Sequence, residues 1–332
     1  MNYIRKSWFL LIVLFLSACG ASSDDKEAKD GKLDVYTTVY PLEDFTKKIG
    51  GDHVDVRSVY PPGADEHTFE PSQKDMIKMA EGDVFLYVGM GLEGFVEKSK
   101  TILENEDVTV VPASKGVDIE HAEEEGHSED EHGHEEEGHS EDEHGHEEEA
   151  KSDERGHQHD GDPHIWLNPE YSKQMAEVIA DTLSKEMPEH KEDFQANLKE
   201  LNGELDALDA EFKQMAEAAP HKTFYVSHAA YSYWEDRYGL HQEAIAGLNT
   251  SDEPSQQELK KIIEKGKEDN VQYILFEQNV SSRLTEVVQK ELGAESLKLH
   301  NLSVLTEEDR AEKEDYFSLM RKNIDTLKKA LQ

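Results

Sequence analysis

The chain has only one cysteine, Cys19, among its 332 residues. A single cysteine cannot form a disulfide within the chain, and we expect no thiolate metal site. Positive charge is also scarce, because 35 Lys and Arg face 74 Asp and Glu and leave a formal net charge of -39. Such a surface would repel phosphate rather than neutralise it, so nucleic acid is not an expected partner.

The chain has no apolar run of membrane-spanning length near its N-terminus. Two cations precede the apolar stretch from Trp8 to Leu16, which suits a signal peptide but is too short to cross a bilayer. The stretch ends in Leu16 to Cys19, which resembles a bacterial lipobox. We therefore expect a lipoprotein signal peptide over 1–18, a lipidated tether over 19–32, and a mature protein anchored through Cys19 on the outer face of the cell membrane.

Histidine, in contrast, is concentrated in one segment. Ten histidines lie between His121 and His164 among a dense field of Asp and Glu. The twelve residues from Glu123 to His134, EEEGHSEDEHGH, are repeated without change from Glu135 to His146. This composition cannot build a packed core, so we interpret residues 120–162 as an insert within a globular domain.

The insert has the chemistry of a low-affinity metal collector. Imidazole and carboxylate bind divalent first-row ions, and closely spaced histidine pairs can chelate an ion without a preformed cage. Three such pairs occur: His132 with His134, His144 with His146, and His157 with His159. A solvated acidic spacer that binds nothing is the alternative.

Outside the insert, short apolar strands alternate with helical stretches in two blocks. This alternation is typical of α/β domains with parallel sheets. The predicted strands are Leu33 to Val39, Val54 to Tyr60, Val84 to Val88, Val108 to Val111, Thr223 to Val226, His241 to Ala246, Tyr273 to Phe276 and Ser296 to Leu299.

Apolar residues at helical spacing predict several helices. Asn168 and Pro169 form a start signal for a helix over Tyr171 to Met187. A longer helix is predicted from Glu189 to Ala218, and the last one from Ala311 to Leu331.

Ligands of open α/β sheets bind beyond the carboxyl ends of the strands, and metal-capable side chains occur there. His67 follows the second strand, while His228 and Glu277 directly follow strands of the second block. His164 ends the insert just before a helix. Together they predict a zinc site with three nitrogens and one oxygen, although each alone could be an ordinary loop residue and Glu277 could pair with Arg283.

Four motifs resemble those of the zinc-binding lipoproteins of ABC importers, the ZnuA or AdcA type of the cluster A-I family. The motifs appear in family order over essentially the whole mature chain: Pro61 to Pro71, Asp162 to Pro169, Ser227 to Tyr231 and Phe276 to Asn279. The resemblance implies that His67, His164 and His228 are metal ligands. Manganese members of the family usually have Glu in place of His228, so the resemblance favours zinc.

The resemblance leaves the fourth ligand open. Glu277 is the first choice, with Glu66 or water as alternatives. Asp162, Tyr231 and Asn168 are candidates for hydrogen bonds that fix a ligand ring, although each could instead serve a cap or a loop.

The resemblance also implies the architecture and the function. We expect an N-terminal domain over 33–168, a rigid linker helix over 169–187, a C-terminal domain over 188–332, and a metal site in the cleft between the domains. The expected protein is a monomer that captures Zn2+ outside the cell with high affinity and delivers it to a membrane permease.

Three alternatives remain at this stage. Three histidines, a carboxylate and zinc also describe a hydrolase, but no HExxH motif occurs, and we expect no enzyme activity. A surface metal buffer or adhesin would use the insert as its functional part. A manganese-binding member of the same family is the third.

Overall fold

The computed structural model describes residues 31–119, 161–250, 252–278 and 282–332. The predicted signal peptide, Cys19, most of the predicted tether and nearly all of the insert lie outside the described residues.

The first domain is a four-stranded parallel sheet with the strand order β2-β1-β3-β4. Its strands contain buried aliphatic and aromatic residues, as expected for a parallel sheet covered by helices. Its elements are β1 (Leu33–Thr37), α1 (Tyr40–Gly50), β2 (Val54–Ser58), α2 (Gln73–Ala80), β3 (Val84–Tyr87), α3 (Val96–Asn105) and β4 (Thr109–Pro112).

Two helices follow the insert, α4 (Pro169–Glu186) and α5 (Lys191–Ala218). The second domain then repeats the topology of the first, with the parallel order β6-β5-β7-β8. The predicted fold class, two parallel-sheet α/β domains, is confirmed. The elements are β5 (Thr223–His228), α6 (Ser232–Tyr238), β6 (His241–Ala246), α7 (Gln256–Glu268), β7 (Tyr273–Phe276), α8 (Arg283–Leu292), β8 (Glu295–Lys298), α9 (Glu307–Glu312) and α10 (Tyr316–Ala330).

The C-terminal helix differs from the sequence-based expectation of one continuous helix. The structure contains α9 and α10, separated at Lys313, whose φ of 58° lies in the left-handed region. Asp315 then caps α10 in a reciprocal arrangement with Ser318. A helix cannot continue through a residue in the left-handed region, so the helix is broken at Lys313. The apolar periodicity of the sequence does not indicate this break.

The helix that connects the domains is α5, rather than the shorter helix predicted for this role. Helix α5 contacts α1 of the first domain and both α6 and α10 of the second. Helix α4 contacts α1, α5 and the short helical turns around it. Length explains the difference, because the 28 residues of α5 span about 42 Å and reach both domains.

The buried face of α5 matches the apolar pattern of the sequence. Its buried residues include Phe194, Leu198, Leu201, Leu205, Leu208 and Phe212. They belong to one continuous hydrophobic core that also contains Phe45 of the first domain and Trp234 of the second. A smaller core around Ile274 fills the other face of the second sheet. Because the main core includes residues of both domains, large hinge motion is disfavoured.

The α5 core yields a stability prediction. Leu205 is fully buried, so Leu205→Ala should lower the free energy of unfolding by about 2–5 kcal/mol through lost burial and a cavity. Urea unfolding of the zinc-depleted protein measures this change. Lys199→Ala, at an exposed position of the same helix, is the control and should change it by less than about 0.5 kcal/mol. Equal effects of both substitutions would contradict a shared core along α5.

Candidate metal centre

The strand order places a crevice at the carboxyl edge of each sheet. In the first sheet, successive strands are added to one side of β1 and then to the other, so the strand order reverses between β1 and β3. In the second sheet it reverses between β5 and β7. Ligand sites of α/β proteins form at such switch points. His228 is the last residue of β5, Glu277 directly follows β7, and His67 lies in the connection from β2 to α2.

Three histidines from separate segments meet in this crevice. The ring centroids of His67 and His164 are 5.3 Å apart, those of His67 and His228 are 5.9 Å apart, and those of His164 and His228 are 5.2 Å apart. His164 Nε2 and His228 Nε2 face each other at 3.4 Å. Both of these rings are fully buried. Glu66 joins the three-histidine cluster, with one potential ligand atom from each of the four residues within 4.8 Å of the others.

His67 presents a buried nitrogen that has no hydrogen-bond partner among the described residues. This atom is Nε2, and burial together with the neighbouring rings of His164 and His228 lowers the pKa of His67 to about 4. The ring is therefore neutral at physiological pH. A buried ring nitrogen without a hydrogen-bond partner is costly unless it binds something, which suits a metal ligand.

Carboxylates contact the Nδ1 atoms of the other two rings. Asp162 Oδ1 lies 2.7 Å from His164 Nδ1, and Glu277 Oε2 lies 2.6 Å from His228 Nδ1. The Asp162 contact favours a proton on Nδ1 of His164 and directs its Nε2 toward the crevice. The Glu277 contact has an ion-pair distance, but its two atoms are not aligned as a hydrogen bond. Burial opposes a charge on His228, but Glu277 outweighs it and raises the pKa of His228.

The carboxylate of Asp162 is itself held by the second domain. Ser232 donates a hydrogen bond to its Oδ2, and Tyr233 donates one to its backbone carbonyl. Asp162 therefore links a ring of the first domain to helix α6. Tyr231 also supports the site, since its hydroxyl donates to Glu277 Oε1 at 3.0 Å, whereas Asn168 caps α4 by accepting from the Glu170 N–H.

The two candidate carboxylates occupy different places. Glu277, the first choice from sequence, lies behind His228 and is not in the group of four. Glu66, the alternative, lies in that group and is almost fully buried. Its Oε1 accepts a hydrogen bond from Asn301 Nδ2 at 3.0 Å, and burial raises the pKa of Glu66.

Asn301 is a site residue that sequence reasoning missed. It contacts Glu66 through its amide, and its backbone carbonyl accepts from Trp166 Nε1 at 2.7 Å. Its Oδ1 accepts from Gln278 and from Ser303. The only signal in the sequence is its position just after β8, at the carboxyl edge of the second sheet.

The predicted insert pairs at His132, His134, His144, His146, His157 and His159 lie outside the described residues. Among the helices that the structure describes, none combines the length and apolar character that a membrane span requires.

These features define a class: a two-domain α/β protein with a nitrogen-rich metal site between the domains. Residues 35–330 match the family model described as ZnuA, the periplasmic component A of a zinc-uptake complex. The chain belongs to this family, which confirms the resemblance seen in its motifs.

Relatives agree with this assignment. The zinc-binding lipoprotein AdcA of Streptococcus pneumoniae is 37% identical over 318 residues, which cover 96% of this chain and 59% of AdcA. The chain thus spans less than two thirds of that relative. ZnuA of Bacillus subtilis, described as a high-affinity zinc uptake system protein, is 33% identical over 98% of both chains.

Solved structures share the fold. The Zn(II)-bound ZnuA-like domain of Streptococcus pneumoniae AdcA has a TM-score of 0.70 and 31% identity, covering 91% of this chain and 99% of that domain. The laminin-binding protein Lmb of Streptococcus agalactiae has a TM-score of 0.72 and 27% identity, covering 90% of this chain and all of Lmb. Lmb is described as a bifunctional protein with adhesin and metal-transporting activity.

The contact between Glu277 and His228 can be tested by its effect on proton affinity. Glu277→Gln removes the negative charge that raises the pKa of His228 but leaves the ring buried. The pKa of His228 should therefore fall below the usual value for histidine of about 6.5. NMR titration of labelled imidazoles in zinc-depleted protein measures it.

Tyr231→Phe is the matched control for this titration. It removes a hydrogen bond to Glu277 and keeps the carboxylate, so its effect should be smaller. An unchanged pKa of His228 in Glu277→Gln would show that the carboxylate does not control this ring.

Proposed function

We propose that the chain is the extracytoplasmic zinc-binding component of an ABC importer, which captures Zn2+ in the interdomain cleft with high affinity and delivers it to a membrane permease. The observation that carries the proposal is the convergence of three histidines, one of which, His67, has a buried nitrogen with no hydrogen-bond partner among the residues that the structure describes. The family and the zinc-binding relatives support it.

We propose His67, His164 and His228 as three nitrogen ligands and Glu66 as the fourth ligand. Glu66 rather than Glu277 is favoured because, among the described residues, Glu66 belongs to the group whose potential ligand atoms all lie within 4.8 Å of one another, and Glu277 does not. Glu277 then serves as the carboxylate that orients His228.

This ligand set suits zinc as cargo. Zinc accepts tetrahedral sites of imidazole and carboxylate, whereas manganese prefers sites dominated by oxygen. If Glu66 occupies the fourth position, no coordination position is left for a catalytic water, and the site is a carrier rather than a hydrolase. This disfavours an enzyme.

Capture is proposed to depend on loops rather than on closure of whole domains. The main core is shared between the domains, and several hydrogen bonds connect them. One of these is donated by the Thr250 hydroxyl to Asp65 Oδ2 at 2.7 Å. Asp65 also accepts from the backbone N–H of His67, so the loop that carries this ligand is coupled to the second domain.

The location and the partners are part of the same proposal. A lipid on Cys19 would keep the protein at the outer face of the cell membrane, beside its permease, and the domains would act as a monomer. The lipobox and the lipoprotein relatives support this.

The proposed ligands can be tested by substitution. His67→Ala should weaken zinc binding by at least about a hundredfold, because it removes a nitrogen from the coordination shell. Competition with a chromophoric chelator measures the affinity. His241→Ala, at an exposed histidine of β6, is the matched control and should leave the affinity unchanged.

The same titration separates the two carboxylates. Glu66→Gln should weaken zinc binding more than Glu277→Gln, because loss of a proposed ligand lowers the affinity more than loss of a carboxylate that only orients a ligand ring. The reverse order would return Glu277 to the coordination shell. A His67→Ala protein that binds zinc like the parent would refute the proposed site.

We propose that the insert is an auxiliary collector that raises the zinc concentration near the cleft. Deleting residues 120–161 should remove weak zinc equivalents and keep one tight equivalent, as counted by equilibrium dialysis. If the tight equivalent disappears while His228→Ala retains it, the insert is the functional part and the protein is a surface metal buffer.

A further inference from the structure

A second group of metal-capable side chains lies away from the cleft. It consists of His53, His190 and Asp193, each with one potential ligand atom within 4.8 Å of the others. His53 Nε2 lies 3.5 Å from Asp193 Oδ2, and His190 Nδ1 lies 3.7 Å from the same oxygen. Two ring nitrogens thus converge on one carboxylate.

The two rings are held in place rather than free on the surface. They stack with centroids 3.7 Å apart and an interplanar angle of 21°. The buried Phe194 ring meets both of them edge-on, at 5.8 Å from His53 and 6.4 Å from His190. Each histidine side chain is about 30% exposed, which leaves access for an ion.

The backbone around this group is also fixed. His53 ends the short helical turn after α1, and His190 ends the turn before α5. Asn197 of α5 donates a hydrogen bond to the Ile49 carbonyl of α1 at 2.9 Å, which holds the two elements together. This contact fixes the backbone from which the side chains of the group extend.

We infer that His53, His190 and Asp193 form a second, peripheral Zn2+ site with two imidazole ligands and one carboxylate. Two imidazoles and a carboxylate are an established zinc ligand set, with the remaining position left to water. Asp193 Oδ2 is already 3.5 and 3.7 Å from the two ring nitrogens. Because the stacked rings are nearly parallel, their in-plane lone pairs run side by side, and one ring must rotate out of the stack to direct its nitrogen at the same ion as the other. The open position and the partial exposure predict weak, exchangeable binding.

This site is distinct from the cleft. His53 immediately precedes β2, while the loop that carries His67 follows β2. The five residues of β2 separate them by about 16 Å along the strand. The second site therefore lies at the amino edge of the first sheet and does not depend on the proposed cleft ligands.

The test uses the full chain with labelled histidine imidazoles, observed by NMR while a chelator buffer sets the free Zn2+ concentration. Above the concentration that fills the cleft, the His53 and His190 signals should shift together along one saturation curve. Because free zinc is buffered, ions bound by the insert do not change this midpoint.

Substitutions at two neighbouring acidic residues distinguish loss of a metal ligand from a general loss of negative charge. Asp193→Asn should raise the midpoint about tenfold, while Glu192→Gln, which removes the same charge from the same exposed turn, should leave it nearly unchanged. His190→Asn should abolish the shift of His53. The inference is overturned if the two signals do not respond to zinc, or if Glu192→Gln raises the midpoint as much as Asp193→Asn.

Discussion

The structure depends on holding two imidazole nitrogens face to face in a water-poor cleft. His164 Nε2 and His228 Nε2 lie 3.4 Å apart, and each ring has a carboxylate on its opposite nitrogen. Two lone pairs at that distance repel unless a proton or a cation lies between them. Glu277 raises the pKa of His228, so zinc binding at this nitrogen would compete with its protonation.

Such an arrangement requires a stiff frame, and that frame is shared between the domains. Trp166 of the first domain donates to the Asn301 carbonyl of the second, and Trp234 of the second donates to the Leu167 carbonyl of the first. Tyr316 adds a hydrogen bond to the Trp166 carbonyl. These buried bonds connect the domains beside the histidine rings, so the separation of the rings is set by the packing of both domains.

The sequence predicted much of this because its signals were local. All eight strands lie within a few residues of their predicted positions. His228 ends β5 and His67 lies in the connection that follows β2, so both lie at the carboxyl edges of their sheets, where His164 joins them from the segment before α4. Whether Glu66 or Glu277 faces the histidine cluster depends on the direction of their side chains in loops, and sequence spacing does not determine that direction. The role of Asn301 depends on contacts between domains that are far apart in the chain.

Charge and ligand type have separate roles in the choice of ion. Three buried carboxylates, Glu66, Asp162 and Glu277, contact or adjoin the imidazole cluster, and their negative potential favours any divalent cation. That attraction cannot distinguish zinc from manganese, since both carry the same charge. The distinction therefore rests on the nitrogen atoms of the rings. The lowered pKa of His67 keeps this ring uncharged over the physiological range of pH, so a metal ion would not have to displace the proton of an imidazolium there.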